Sequence, residues 1–265
     1  MIEALLANGA ILIGMALILW VIAIQIDDVS FVDAFWGGAM ALLALASWIR
    51  LDQPGPLATL LMAMTVLWGL RLCLYLLLRW RREGEDKRYA RMLAKDREKG
   101  RFALAALIKV FLGQAVLLFI VCSPAQHGIL VAGAHSPISG LALVGGALWL
   151  IGIFFEWVGD WQLARFRRKR VNAVKVMDRG LWRYTRHPNY FGDACVWWGI
   201  WLAAASAGWW VAAITFIGPL FLTFTLLRWS GAALLERGMD KRRPGYADYR
   251  KRTSAFLPMP PGRAD

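Results

Sequence analysis

The sequence is poor in cysteine, short of acids relative to its bases, and lacks the motif of a soluble dinucleotide-binding fold. Its three cysteines, Cys73, Cys122 and Cys195, lie in or beside apolar segments without metal-type spacing, so they read as small buried hydrophobes and no metal site is indicated. No Gly-x-Gly-x-x-Gly opens a helix after a strand, which excludes a Rossmann cradle. The 18 acids against 31 Lys and Arg leave a net charge of +13. Those bases do not run along a soluble face with interleaved aromatics, so no nucleic acid partner is expected. There is no internal repeat, low-complexity tract or second soluble domain. Residues 123–139 contain no Lys, Arg, Asp or Glu at all, which reads as a neutral outer loop. The start Met1-Ile2-Glu3 has no basic region and the first apolar run no small-residue cleavage site before Gln25, so that run is kept as a helix rather than a signal peptide.

What is present is apolar length. With 58% hydrophobic residues, 15 Trp and a mean hydropathy of +0.47, the chain does not read as an ordinary soluble domain. Runs near the ~20 residues that cross a bilayer recur at about 4–24, 30–49, 57–80, 102–122, 141–161, 190–205 and 209–227. Every spanning backbone group must be satisfied within its own helix. The expected fold is therefore all-α: one polytopic membrane domain over 1–265, with N-terminal spans in 4–122 and a C-terminal part over 141–265. Within 79–101, Glu85-Asp-Lys-Arg-Tyr-Ala-Arg-Met-Leu93 reads as a short surface helix. Three basic blocks, 79–101, 165–186 and 237–263, hold 27 of the 31 Lys and Arg. The positive-inside rule puts all three in the cytoplasm, with seven spans, the N-terminus outside and the C-terminus inside.

Ionisable groups inside such spans are costly and face a cavity or a partner. Asp33, Trp36 and Gly37 share a face of the second helix at i, i+3, i+4. Arg71, Tyr75 and Arg79 line the third at i, i+4, i+8. Glu156 and Asp160 stand four apart on the fifth, roughly aligned with Arg167. Asn189, Asp193 and Trp197 share a face of the sixth, and Arg228 and Glu236 follow the seventh. Most lie in the cytoplasmic half, which points to one cavity open to the cytosol. The plain alternatives are helix-pairing ion pairs, Arg71 with Asp33 and Glu156 with Arg186, and arginines that snorkel to headgroups. Gly37-Gly38 and Gly145-Gly146 read as sites of close helix approach. His127 and His135 receive no role. Pro188 suits a first helical turn, so Arg183, Arg186 and His187 crowd a helix start whose unpaired N–H groups favour an anion.

Arg186-His-Pro-Asn-Tyr-Phe-Gly-Asp193 resembles the Arg-His-x-Asn-Tyr-x-Gly-Asp motif of the NADPH-dependent sterol reductases. Gly180-Leu-Trp-Arg-Tyr-Thr185 before it and Gly245-Tyr-Ala-Asp-Tyr-Arg-Lys-Arg-Thr253 after it are similar to the steroid 5-alpha-reductase group and its bacterial relatives. The bacterial likeness also takes in Asp33 to Gly37 and Gly84 to Tyr89. The resemblance implies that Asn189, Tyr190, Asp193 and Trp197 contact NADPH. It also implies a cofactor role for Glu156, Asp160, Arg167 and Lys175, and for Tyr184, Arg186, His187 and Glu236. Glu156 stands where the reductases carry an Asn, Leu235-Glu236-Arg237 where they carry His, and Asp33 where a Gln-Glu pair polarises the steroid carbonyl. The Arg-His-Pro-x-Tyr start is shared with isoprenylcysteine and phospholipid methyltransferases, which bind S-adenosylmethionine, so a membrane methyltransferase of a lipid or prenyl substrate is the alternative. The Asn-Tyr-Phe-Gly-Asp continuation favours the reductases.

The chemistry then expected is reduction of a conjugated C=C in a steroid or other lipid-like enone entering from the bilayer, among membrane lipids. Arginine forks would hold the cofactor phosphates. Tyr75, supported by Asp33 or Arg71, would serve as the acid. The expected setting is a bacterial inner membrane with the cofactor site on the cytoplasmic side. A small transporter or lipid-binding scaffold is a third class, and a conduction path should mark both leaflets with charge rather than one.

Overall fold

The computed structural model describes residues 1–134, 136–172, 174–229, 232, 236 and 238–262; His135, Leu235, Arg237 and Arg263 of the sequence-based reading lie outside them. Six helices are long and apolar enough to cross a membrane: α1 (Ile2–Ile26), α2 (Val32–Ile49), α3 (Pro56–Glu83), α5 (Phe102–Val121), α7 (Gly140–Arg167) and α9 (Trp209–Arg228). With them go α4 (Lys87–Glu98), α6 (Ser123–Ala132), α8 (Pro188–Ala205), α10 (Met239–Arg242) and α11 (Tyr246–Arg252). No strand occurs among the described residues, and the chain is an all-α integral membrane protein. The sixth expected span, 190–205, corresponds to α8, which carries Asn189, Tyr190 and Asp193 in its first turns and so falls outside the apolar set.

The chain forms two compact units, residues 1–143 with 200–218, and residues 144–199 with 219–265. In the first unit, α1 buries one stripe, Asn8, Leu12, Ala16, Leu19 and Ala23, while Leu6, Ile13, Ile18 and Val21 stay exposed, as suits a helix bathed in lipid. It ends at Asp27, a left-handed C-cap with φ 54°. α2 and α3 cross at Gly37 and Gly69, whose backbones approach so closely that a Cβ on either would overlap the other's carbonyl. α3 begins with Pro56 in its first turn and stops at Gly84, φ 72°.

α4 is the expected surface helix. Asp86 caps it by accepting from the Arg88 N–H at 2.8 Å, and Leu93 is its one buried residue. The segment 123–139 departs from expectation. Its first ten residues form α6, which buries Ser123, Pro124, Ala125, Gln126, Gly128 and Ile129. The lack of charge there reflects burial rather than an exposed loop. Gly128 sits against Ala204 and Leu61, so only a residue without Cβ fits. Gln126 and Asn8 are fully buried, with Asn8 Nδ2 donating to Ser47 Oγ at 2.8 Å and to Gln126 Oε1 at 2.9 Å.

In the second unit, α7 and α8 pack through glycines. A Cβ on Gly192 would lie 2.5 Å from the Gly152 carbonyl oxygen and 2.6 Å from the Glu156 nitrogen; one on Gly199 would lie 2.6 Å from the Gly145 oxygen. Gly145 thus takes the packing role expected of it, and Gly146 has open space. The tail closes this unit. Arg186 N–H donates to the Ser254 carbonyl at 2.9 Å and Met259 N–H to the Tyr184 carbonyl at 3.0 Å, while Thr185 Oγ1 donates to the Phe256 carbonyl at 2.8 Å.

Candidate functional site

Polar side chains gather in each unit. In the second, the start of α8 is held by a buried ionic clamp. The Arg186 fork donates to Glu236 from Nε at 2.8 Å and from Nη2 at 3.2 Å, and its Nη1 donates to the Thr253 and Arg250 carbonyls. The two side chains are 11% and 16% exposed. His187 Nε2 lies 2.8 Å from the same Glu236 oxygen, and its ring stacks on Tyr190 with centroids 5.3 Å apart. Partial burial alone would raise the Glu236 pKa, but hydrogen bonds from His187 and Arg186 together with the Arg186 charge pull it down to about 2. The plain pairing expected for Arg186, with Glu156, is thus replaced by one with Glu236.

Beside this clamp, Asn189 Nδ2 donates to Asp160 Oδ1 at 3.1 Å. Glu156 and Asp160 are 2% and 4% exposed, one turn apart on the face of α7 that Gly192 allows α8 to approach. Trp197 is fully buried on the α8 face that begins with Asn189. Trp182 Nε1 donates to the Gly159 carbonyl at 3.0 Å, and Tyr249 donates to the Trp182 carbonyl at 2.5 Å. Arg167 and Lys175 are exposed, as is Tyr184. Lys175 lines a hollow of about 320 Å³ together with Val174, Val176, Asp178, Gly245 and Arg252. Arg252 pairs with Asp178 at 2.9 Å, and the Arg243 guanidinium donates to the Lys175 carbonyl. Partial burial and the neighbouring charges of Arg167 and Arg242 lower the Arg243 pKa; the charged residues lining the hollow are Lys175, Arg252 and Asp178.

In the first unit, Asp33 is gripped by α4 and not by the expected Arg71. Its Oδ2 accepts from Arg88 Nη2 at 2.9 Å and its Oδ1 from the Tyr89 hydroxyl at 2.5 Å. Arg88 also bonds Asp86 at 3.0 Å. Gln114 Nε2 donates to Tyr89 at 2.9 Å, and Trp36 Nε1 donates to Gln114 Oε1 at 2.5 Å. The approach is fixed by Asp28, which accepts from Ser30 and, at 2.8 Å, from Trp80; Ser30 Oγ in turn accepts from Asp86 N–H at 3.0 Å. Arg71 lies over the Tyr75 ring, 5.0 Å from its centroid. Tyr89 and Gln114 were not singled out from sequence. The signals were there: a tyrosine embedded in the charged run Gly84–Tyr89, and a single side-chain amide in a span whose other polar residue is Lys109.

A family model described as "Protein of unknown function (DUF1295)" matches residues 19–253, most of the chain. The chain belongs to the DUF1295 family. Among curated proteins this DUF1295 chain is similar to 3-oxo-5-alpha-steroid 4-dehydrogenase 1 of Bos taurus, 39% identical over 75 residues, 28% of this chain and 29% of the relative. The same enzyme of Rattus norvegicus is 34% identical over 120 residues, 44% of this chain and 41% of the relative. That of Mus musculus is 29% identical over 120 residues, 44% and 42% of the two chains. The chain therefore spans less than half the length of the curated relatives it matches. No solved structure matches it significantly. The DUF1295 chain is thus an integral membrane protein with partial similarity to 3-oxo-5-alpha-steroid 4-dehydrogenases.

Proposed function

We propose that this DUF1295 protein is an NADPH-dependent membrane reductase of a conjugated C=C bond in a steroid or comparable lipid enone. The observation that carries this reading is the buried constellation at the start of α8, Asn189 on Asp160 beside the Arg186–His187–Glu236 clamp, in a segment matching the reductase motif. The similarity to enzymes named 3-oxo-5-alpha-steroid 4-dehydrogenase supports the substrate class. The fit to the cofactor rests on donor chemistry. Lys175 and Arg252 at the hollow, with Arg243 and Arg167 nearby, suit phosphate oxygens. Asn189, Tyr190, Asp193, Trp197, Asp160 and Glu156 would hold the less charged parts of the molecule. Tyr184, Arg186, His187 and Glu236 frame that wall through the clamp. NADPH, when bound, supplies the hydride.

On the chain's side the reaction needs a proton donor for the enone oxygen. Tyr75 with Arg71 is one candidate phenol. Tyr89, whose hydroxyl donates to Asp33 at 2.5 Å, is the second. The enone oxygen would take over from Asp33 Oδ1 as acceptor of the Tyr89 hydroxyl hydrogen, and the resulting enol gains its α-carbon proton from water as the phenolic proton returns. The basic blocks support a cytosol-facing cofactor site and an outer N-terminus; a bacterial inner membrane is the proposed setting, with substrate arriving from the bilayer.

Thermal unfolding of the purified chain with NADPH, with S-adenosylmethionine and without either tests the assignment. A rise in Tm with NADPH alone is expected, lost in Asn189→Ala and Asp193→Ala. A rise with S-adenosylmethionine alone would move the protein to the methyltransferases, and a rise with neither to the scaffold class.

A further inference from the structure

Gln114 lies two residues beyond a π-helical turn, Leu107–Leu112, inside a largely apolar span. Such a turn accommodates one extra residue and re-aims the side chains after it, and it recurs at functional sites because it costs regular hydrogen bonding. Here it brings an amide between two aromatic residues from other elements, Trp36 of α2 and Tyr89 of α4.

The direction of every hydrogen bond in this chain follows from its first member. An indole N–H can only donate, so the Gln114 atom facing Trp36 Nε1 at 2.5 Å must be the carbonyl oxygen. The amide nitrogen therefore faces Tyr89 and donates to its oxygen at 2.9 Å. With that side of the phenol oxygen occupied, the hydroxyl hydrogen is directed to Asp33 Oδ1 at 2.5 Å, while Arg88 satisfies the other carboxylate oxygen at 2.9 Å. Polarity runs one way, from Trp36 through Gln114 and Tyr89 to Asp33, and Trp36 dictates the sense of the whole chain without touching the phenol.

We infer that Gln114 and Trp36 are positioning residues for Tyr89, setting which way its proton points and keeping it as a neutral donor on Asp33. The functional meaning of this inference rests on the reductase reading; the hydrogen-bond order does not. The surrounding charges agree. Burial and the Asp33 charge hold the Tyr89 hydroxyl well above the ordinary tyrosine range, and the Gln114 donor and the Arg88 charge oppose them. The hydroxyl, raised above its ordinary range, stays protonated at physiological pH. Gln114 is then the group that keeps this phenol from becoming too weak an acid, by donating to the oxygen that gathers charge as the proton leaves.

The test uses the purified full chain with ring-¹³C-labelled tyrosine, taking the infrared difference between wild type and Tyr89→Phe to isolate the Tyr89 C–O band. The expected wild-type band is that of a phenol that both donates and accepts. Gln114→Leu and Trp36→Phe should each convert it to donor-only. Gln114→Met, of nearly equal size, offers Tyr89 no donor and should do the same with the least disturbance of packing. In turnover of a 4-ene-3-oxo steroid with NADPH, each variant should lose at least roughly tenfold in kcat with KM for NADPH unchanged. A wild-type band that is already donor-only, or one unmoved by the Gln114 substitutions, overturns the inference. So does a band that shifts while kcat stays within about twofold. Absence of wild-type steroid turnover would instead sink the reductase reading, while the band still decides the hydrogen-bond order.

Discussion

Replacing Glu236 by glutamine keeps the shape of the clamp and removes its charge. In the wild type the carboxyl titrates at about 2 instead of its usual 4.5, because Arg186 and His187 hold its ionised form. At ~1.4 kcal/mol per unit, that difference corresponds to at most about 3.5 kcal/mol of stability, and residual exposure reduces it to ~1–3 kcal/mol. The sign follows from the direction of the shift. A carboxyl with a lowered folded pKa contributes its full stability above its unfolded pKa near 4.5 and loses it as pH falls towards 2. Thermal unfolding of both proteins in one detergent, from pH 7 down to pH ~3, should therefore show Glu236→Gln less stable at neutral pH, with the gap narrowing below pH ~4.5. Other carboxylates titrate in both proteins and cancel in the difference. A variant as stable as wild type at pH 7, or a gap that stays constant as acid is added, would refute the clamp as an ionic device.

Gly192→Ala should be among the most damaging single-methyl changes, since its Cβ would fall 2.5 Å from the Gly152 oxygen and 2.6 Å from the Glu156 nitrogen, both backbone atoms. We expect a loss of at least ~1–3 kcal/mol in chemical unfolding and loss of the NADPH-induced Tm rise, because α7 and α8 must part. Gly146→Ala, with open space around it, serves as the control and should be close to neutral. Asp86→Ala removes the cap of α4 and one partner of Arg88, and should cost ~1 kcal/mol and speed hydrogen exchange over residues 87–98. Asp33→Asn should leave the Tyr89 contact in place but weaken the Arg88 pair, lowering kcat in steroid turnover more than it lowers Tm.

Much of the architecture was legible in the linear chain because it depends on local quantities. Hydrophobic runs of bilayer length place the spanning helices, period-3.6 spacing sets Glu156 and Asp160 on one face, and acid–base patterning marks 87–98 as an amphipathic surface helix. The Arg186–Asp193 motif marked the polar start of α8 for the same reason: its residues are neighbours on one helix start. Tertiary structure decided which distant groups share a charge or a proton. Asp33 could have taken Arg71 from the adjacent helix, but α4 folds back to supply Arg88 and Tyr89. Arg186 meets Glu236, fifty residues away, because the tail doubles back alongside Thr185. The uncharged stretch after α5 is a buried helix because neighbouring helices cover it, which no count of its own residues can show. Periodicity and hydropathy report what a segment does with its own backbone and surroundings of one polarity; partner choice is a competition among side chains far apart in sequence, settled only when packing brings one of them within hydrogen-bond reach.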